Sequence, residues 1–137
     1  MKNTKMFYLQ FLVAALFTST TSTAMSAASP QPIIANCTEN LFVSGGEMNQ
    51  ITIVGKTFNP KCLKIKVGSI VMIEANSNHP LVAMPDIQGV ANPFANSSPA
   101  KSPQTRTMNV VGTFGYHCNN HGDDAGNGMA GVIIVEP

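Results

Sequence analysis

The 137 residues carry eight Lys and Arg against seven Asp and Glu, a formal net charge of +1 with the histidines neutral. That near-balance speaks against a nucleic-acid partner, which calls for a basic patch and usually aromatic stacking platforms. The length allows one domain with a real core but not two.

Lys2 and Lys5 precede an apolar run over 6–17 broken only by Gln10, and a Thr/Ser-rich stretch then leads to Ala24 and Ser26-Ala27-Ala28. Charged, apolar and small-residue regions in that order read as a secretory signal peptide, and the apolar run is too short to span a bilayer comfortably. Residues 1–28 are therefore expected to be a cleaved leader and 29–137 a single exported domain, with Ala24 the alternative cleavage point and an uncleaved anchor the alternative fate. Without Lys2 and Lys5 the net charge is about −1. No second apolar span follows. The expectation is a periplasmic or secreted protein without stable membrane insertion.

Beyond the leader the pattern is strand and turn. Residues 49–54 read as a short strand and 57–60 as a turn. Over 63–67 apolar residues alternate with lysine, the mark of a half-buried strand, and Gly68-Ser69 turns the chain into a further strand over 70–75. A short strand is expected over 81–84. The stretch 85–103 is rich in Pro, Asn, Ser and Gly and predicts a long irregular connection with room for one helical turn. Alternation returns over 104–111, breaks at Gly112, resumes over 114–118 and closes the chain over 131–135. Short strands between Gly, Pro and Asn turns predict an all-β fold, a Greek-key β-sandwich.

The three cysteines are an odd number for an oxidising compartment. Cys118 lies in metal-ligand spacing, three residues before His121 and eleven before Met129, which leaves Cys37 and Cys62 to pair. Alternation in 62–67 puts Cys62 on the outer, lysine-bearing face, where the N-terminal segment can reach it. Intermolecular pairing remains the alternative. A thiolate, an imidazole and a thioether on one short loop are soft ligands that suit copper. A second imidazole would complete a plane of two His and one Cys with a weak axial Met, the ligand set of a blue-copper centre. With only three histidines in the chain, His79 in Asn-Ser-Asn-His-Pro is the candidate. Zinc also accepts Cys and His, but thioether is a poor zinc ligand. A Cys-His nucleophile would need an oxyanion hole, for which no motif is present.

The segments Phe-Asn-Pro-Lys-Cys-Leu-Lys-Ile-Lys-Val-Gly-Ser-Ile-Val, Asn-His-Pro-Leu, Gly-Thr-Phe-Gly-Tyr-His-Cys-Asn-Asn-His and Gly-Met-Ala-Gly-Val-Ile-Ile-Val resemble the cupredoxin family, most of all its plastocyanin/azurin-type bacterial members. The likeness spans about 49–135. It implies one type 1 copper per chain, held by His79, Cys118, His121 and Met129. It also implies single-electron shuttling between a redox protein donor and acceptor. The expected protein is a monomeric electron carrier, not an enzyme; a copper-trafficking or sequestering protein using the same ligands is the alternative.

Three departures from the family pattern stand out. The segment between His121 and Met129 is longer than in plastocyanin. Pro80 follows His79 where the family often has a backbone N–H donor to the cysteine sulfur, and proline has none. His117 precedes Cys118; copper nitrite reductases and multicopper oxidases use such a His-Cys pair to reach a catalytic copper, which needs further histidines. Strand alternation predicts a solvent-facing His117. A docking patch around His121 is expected from Pro80, Leu81, Met84, Pro85 and Ala130. Met48, Met72, Met84 and Met108 are read as packing residues, and Asp123 and Asp124 as solvated loop charges.

Overall fold

The alternation of side chains along a strand decides which residues of Cys62–Lys66 and Ile70–Ile73 turn inward. The computed structural model describes residues 32–137, so the expected leader over 1–28 lies outside the described residues. In chain order the elements are a 3-10 turn at Glu39–Leu41, then β1 (Val43–Ser44), β2 (Met48–Val54), β3 (Thr57–Asn59), β4 (Cys62–Lys66), β5 (Ile70–Ile73), β6 (Leu81–Ala83), β7 (Gln104–Thr107), β8 (Gly112–Gly122) and β9 (Gly128–Glu136). Leu63 and Ile65 of β4 and Val71 and Ile73 of β5 are buried, while their neighbours Lys64, Lys66, Ile70 and Met72 turn outward.

Two mixed sheets result, one in the order β1-β4-β9-β8-β6 and the other β3-β2-β5-β7. This is the expected all-β sandwich, and neighbours such as β4 with β9 and β6 with β8 are far apart in sequence. The main core between the sheets collects Ile51, Phe58, Leu63, Val71, Phe114 and Ile133. A smaller cluster of Ala35, Cys37, Cys62, Met84, Ala130 and Val132 covers the other face of the five-stranded sheet. β9 is consequently buried on both faces, which explains why it reads as an unbroken apolar run rather than an alternating one.

Several elements differ from the sequence reading. Thr57–Asn59 is a strand, not a turn: Gly55 at φ +60° reverses the chain, and β3 pairs back on β2 to drop Phe58 into the core. β1 follows from no alternation, being only two residues held parallel to β4. Gly112 begins β8 rather than breaking it. No helical turn forms over 85–103; isolated bridges, Leu81 with Ala100 and Ile87 with Val90, order that stretch. Met84 and Met108 pack as expected, but Met48 is 79% exposed because its side chain lies on the outer face of β2.

Cys37 and Cys62 form the expected disulfide, with Cα atoms 5.7 Å apart, and Cys118 is free and buried. The bridge closes 25 residues of sequence and ties the N-terminal segment over the sheet. Loop-closure entropy for that length contributes about 3.5 kcal/mol. The paired replacement Cys37→Ser with Cys62→Ser should lower the unfolding free energy by about that amount in urea titrations followed by circular dichroism.

Candidate metal centre

β8 directs Phe114, Tyr116 and Cys118 to the core by their spacing of two, and the Cys118 side chain is fully buried. β6 pairs with β8 so that Leu81 lies opposite Cys118, which delivers His79, just before β6, to the same end of the sandwich. The turn carrying His79 is closed by Asn76. Its Oδ1 accepts the backbone N–H groups of Asn78 and His79 at 2.9 and 3.0 Å, an Asx turn. The Asn119 N–H donates to the Pro80 carbonyl at 2.8 Å and the Asn120 amide to the Asn78 carbonyl at 3.0 Å, so the two ligand-bearing loops are cross-linked. The asparagines were not singled out from sequence. Asn76 three residues before His79 is the Asx-turn signal that would have found it.

Cys118 Sγ lies 3.8 Å from His79 Nδ1 and 3.4 Å from His121 Nδ1, and the three donor atoms fall within 4.8 Å of one another. The two imidazole rings are 4.9 Å apart. An ion about 2.3 Å from a thiolate and about 2.05 Å from an imidazole nitrogen separates those two donors by about 3.8 Å at a trigonal angle near 120°. The shorter separation of 3.4 Å corresponds to an angle of roughly 100°. The donor set therefore fits a metal ion with little movement. Both imidazoles are half-buried. Partial desolvation, Lys56 and His79 hold His121 below the ordinary histidine range, favouring the neutral, ligating ring.

Met129 is the second residue of β9 and is fully buried in the same core cluster as Cys118. The β8–β9 ladder pairs His117 with Ala130 and next Gly122 with Gly128, setting residues 118–121 opposite Met129 alone. That bulge carries Cys118 and His121. The strands close beyond it because Gly122 and Gly128 lack side chains. A Cβ on Gly122 would stand 2.5 Å from the Met129 carbonyl oxygen, and one on Gly128 2.2 Å from that of His121.

The long segment after His121 is thus an ordered hairpin end. Asp123 Oδ1 accepts the N–H groups of Ala125 and Asn127, both at 3.0 Å, and Oδ2 the Asn127 side-chain amide at 3.0 Å. Asp123 is exposed, as expected of a loop charge, but it also organises this turn. His117 departs from expectation: it is only 7% exposed, because the outer face of β8 is covered. Its Nε2 lies 3.0 Å from Asp124 Oδ1 and its Nδ1 3.1 Å from the Cys118 carbonyl oxygen, so Asp124 too has a partner.

The expected docking patch is largely absent from the surface. Pro80, Leu81, Met84 and Ala130 are buried under the sheet and its covering cluster, and only Pro85 is exposed. The groups exposed around the ligands are Asn76, Ser77, Asn78, Asn119 and Asn120. A cleft of about 830 Å³ beside them is lined by Ser77, Asn96, Ser98, Lys101, Asn119 and Asn120, among others.

No protein-family model matches the chain, and no curated protein does. Among solved structures, a copper-containing nitrite reductase from Thermus scotoductus SA-01 matches with a TM-score of 0.52 at 20% identity, covering 72% of this chain and 28% of the enzyme. The chain therefore spans little more than a quarter of that enzyme's length. A Sinorhizobium pseudoazurin gives a TM-score of 0.49 at 24% identity, over 67% of this chain and 76% of the other. A purple cupredoxin from Nitrosopumilus maritimus gives 0.43 at 20% identity, over 64% and 98%.

Hydrogen bonds from the Asn127 side chain and backbone, and from the Ala125 backbone, hold the Asp123 carboxyl below its usual range. Their stabilisation of the turn is complete at neutral pH and is lost as pH falls through that lowered value. In NMR pH titrations the Ala125 and Asn127 amide protons should report a midpoint below that of an ordinary aspartate. Asp123→Ala should abolish the transition.

Proposed function

We propose that this chain, a cupredoxin-like β-sandwich, is a small type 1 copper protein that shuttles single electrons between redox proteins. The observation that supports this most is the meeting of Cys118 Sγ with His79 Nδ1 and His121 Nδ1 at metal-site separations. When bound, copper supplies one-electron chemistry by alternating between Cu(I) and Cu(II). Cys118 would provide the soft thiolate in a water-excluded position, and His79, His121 and Met129 are the other residues that would hold the copper. Cross-linked loops keep these donors in place, so little reorganises between oxidation states. His79 and His121 are the ligands that reach solvent, and their ring edges offer a partner the shortest approach. The partner meets a polar, Asn-rich rim there rather than an apolar patch.

Residues 1–28 are the proposed export leader and 29–137 the working domain, placed in the periplasm or outside the cell. The chain acts as a carrier without a catalytic centre of its own. Its only further histidine, His117, is engaged by Asp124 and the Cys118 carbonyl.

Copper-loaded protein should show an intense thiolate-to-copper absorption band and the matching EPR signal, and Cys118→Ser should abolish both. A fully Cu(II)-loaded sample without that band would overturn the proposal. Among the described residues no backbone N–H donates to the Cys118 sulfur, whose polar neighbours are the His79 and His121 ring nitrogens, in keeping with Pro80 after His79. More charge then stays on the thiolate, which favours Cu(II). Pro80→Asn should therefore raise the midpoint potential in a redox titration; an unchanged midpoint would disprove this role of Pro80.

A further inference from the structure

We propose that His117 is a positioning residue: with Asp124 it clamps the hairpin end between His121 and Met129 against the strand that carries Cys118. The inference rests on the copper reading above. Its basis is the bulge, because backbone pairing is missing where the ligands sit: after His117 and Ala130 the ladder resumes only at Gly122 and Gly128. His117 is the last paired residue before that gap, and Asp124 lies just past the pair that closes it. The 3.0 Å contact between them spans the opening from one end to the other. The second ring nitrogen, 3.1 Å from the Cys118 carbonyl oxygen, ties the same imidazole to the backbone of the thiolate ligand. Polar contacts at both nitrogens of a ring that is only 7% exposed leave it little freedom to swing.

The far side of the hairpin end is held as well. Gly126, at φ +83°, packs so closely on the N-terminal segment that a Cβ there would stand 2.6 Å from the Ala35 nitrogen. That segment is fastened to β4 through Cys37 and Cys62. The hairpin end is thus gripped between the His117 imidazole and the disulfide-bound segment. Its two chain ends run directly into His121 and Met129. Loosening the grip should move both relative to Cys118, and the axial thioether, being the weakest ligand, should register it first.

The test uses Asp124→Ala, Asp124→Asn and His117→Phe in the full chain. Asp124→Ala is the safest variant to fold, since the Asp124 side chain is 62% exposed. In metal-free protein, hydrogen exchange of amides 123–127 should quicken roughly tenfold in Asp124→Ala and His117→Phe, as expected for loss of a charge-assisted bond. Asp124→Asn keeps an acceptor oxygen and should exchange at nearly the wild-type rate. After copper loading, the first two variants should shift the midpoint potential and EPR parameters, and Asp124→Asn should restore them towards wild type. Exchange, potential and EPR spectrum all unchanged in Asp124→Ala would overturn the clamp, as would faster exchange with an unmoved potential and spectrum. A wild-type protein without the thiolate-to-copper band would instead defeat the copper reading, and the exchange rates of the metal-free variants would still decide whether the hairpin end is held this way.

Discussion

The arrangement at the functional end depends on an interruption in one antiparallel ladder. β8 and β9 run in register up to His117 and Ala130, then place residues 118–121 against Met129 alone. An uninterrupted ladder would keep Cys118 and His121 on the regular pleat, three positions apart and facing opposite sides of the sheet. The bulge frees the backbone to turn His121 back towards Cys118, bringing its Nδ1 to 3.4 Å from the thiol sulfur. Much of the surrounding detail answers the cost of that interruption. Gly122 and Gly128 permit the strands to rejoin, Asp123 satisfies the amides of the turn beyond, and the Pro80 carbonyl takes up the Asn119 N–H.

The sandwich was legible wherever one strand face was wet and the other dry. β4 could be placed from alternating side chains alone, and β5 from the Gly68-Ser69 turn that leads into its apolar run. β3 could not, because three residues around Phe58 carry too little pattern and the Asn-Pro that follows reads as a turn. The meeting of His79, Cys118 and His121 was legible for a chemical reason: few residue types suit a soft ion, and the chain contains only three histidines and three cysteines. The disulfide followed from the same scarcity.

What failed concerned the surroundings of the His79, Cys118 and His121 cluster, and one cause accounts for most of it. Strand period tells which face of β8 a residue occupies but not whether that face meets solvent. Alternation alone counts the outer face as surface, yet the disulfide-bound N-terminal segment, Met84 and the hairpin end cover it, so His117 and Ala130 are buried there, whereas Leu81 is buried in the main core. Gly115 shows how close the cover lies, since a Cβ there would stand 2.3 Å from the Met84 sulfur. The turn-forming role of Asp123 escapes the sequence for a related reason: its partners are amides of the next few residues, which become donors only once the turn has formed.

The distance along the chain between the donors has a thermodynamic side. Cys118 and His121 are three residues apart, whereas His79 lies 39 residues before Cys118 and meets it only when β6 has docked on β8. An unfolded chain can offer an ion the local Cys and His pair but not the complete set. Any ion that uses all three donors must therefore bind the folded chain more tightly than the unfolded one. Occupancy then raises the free energy of unfolding by mass action, and ligand affinity and fold stability become two readings of one equilibrium.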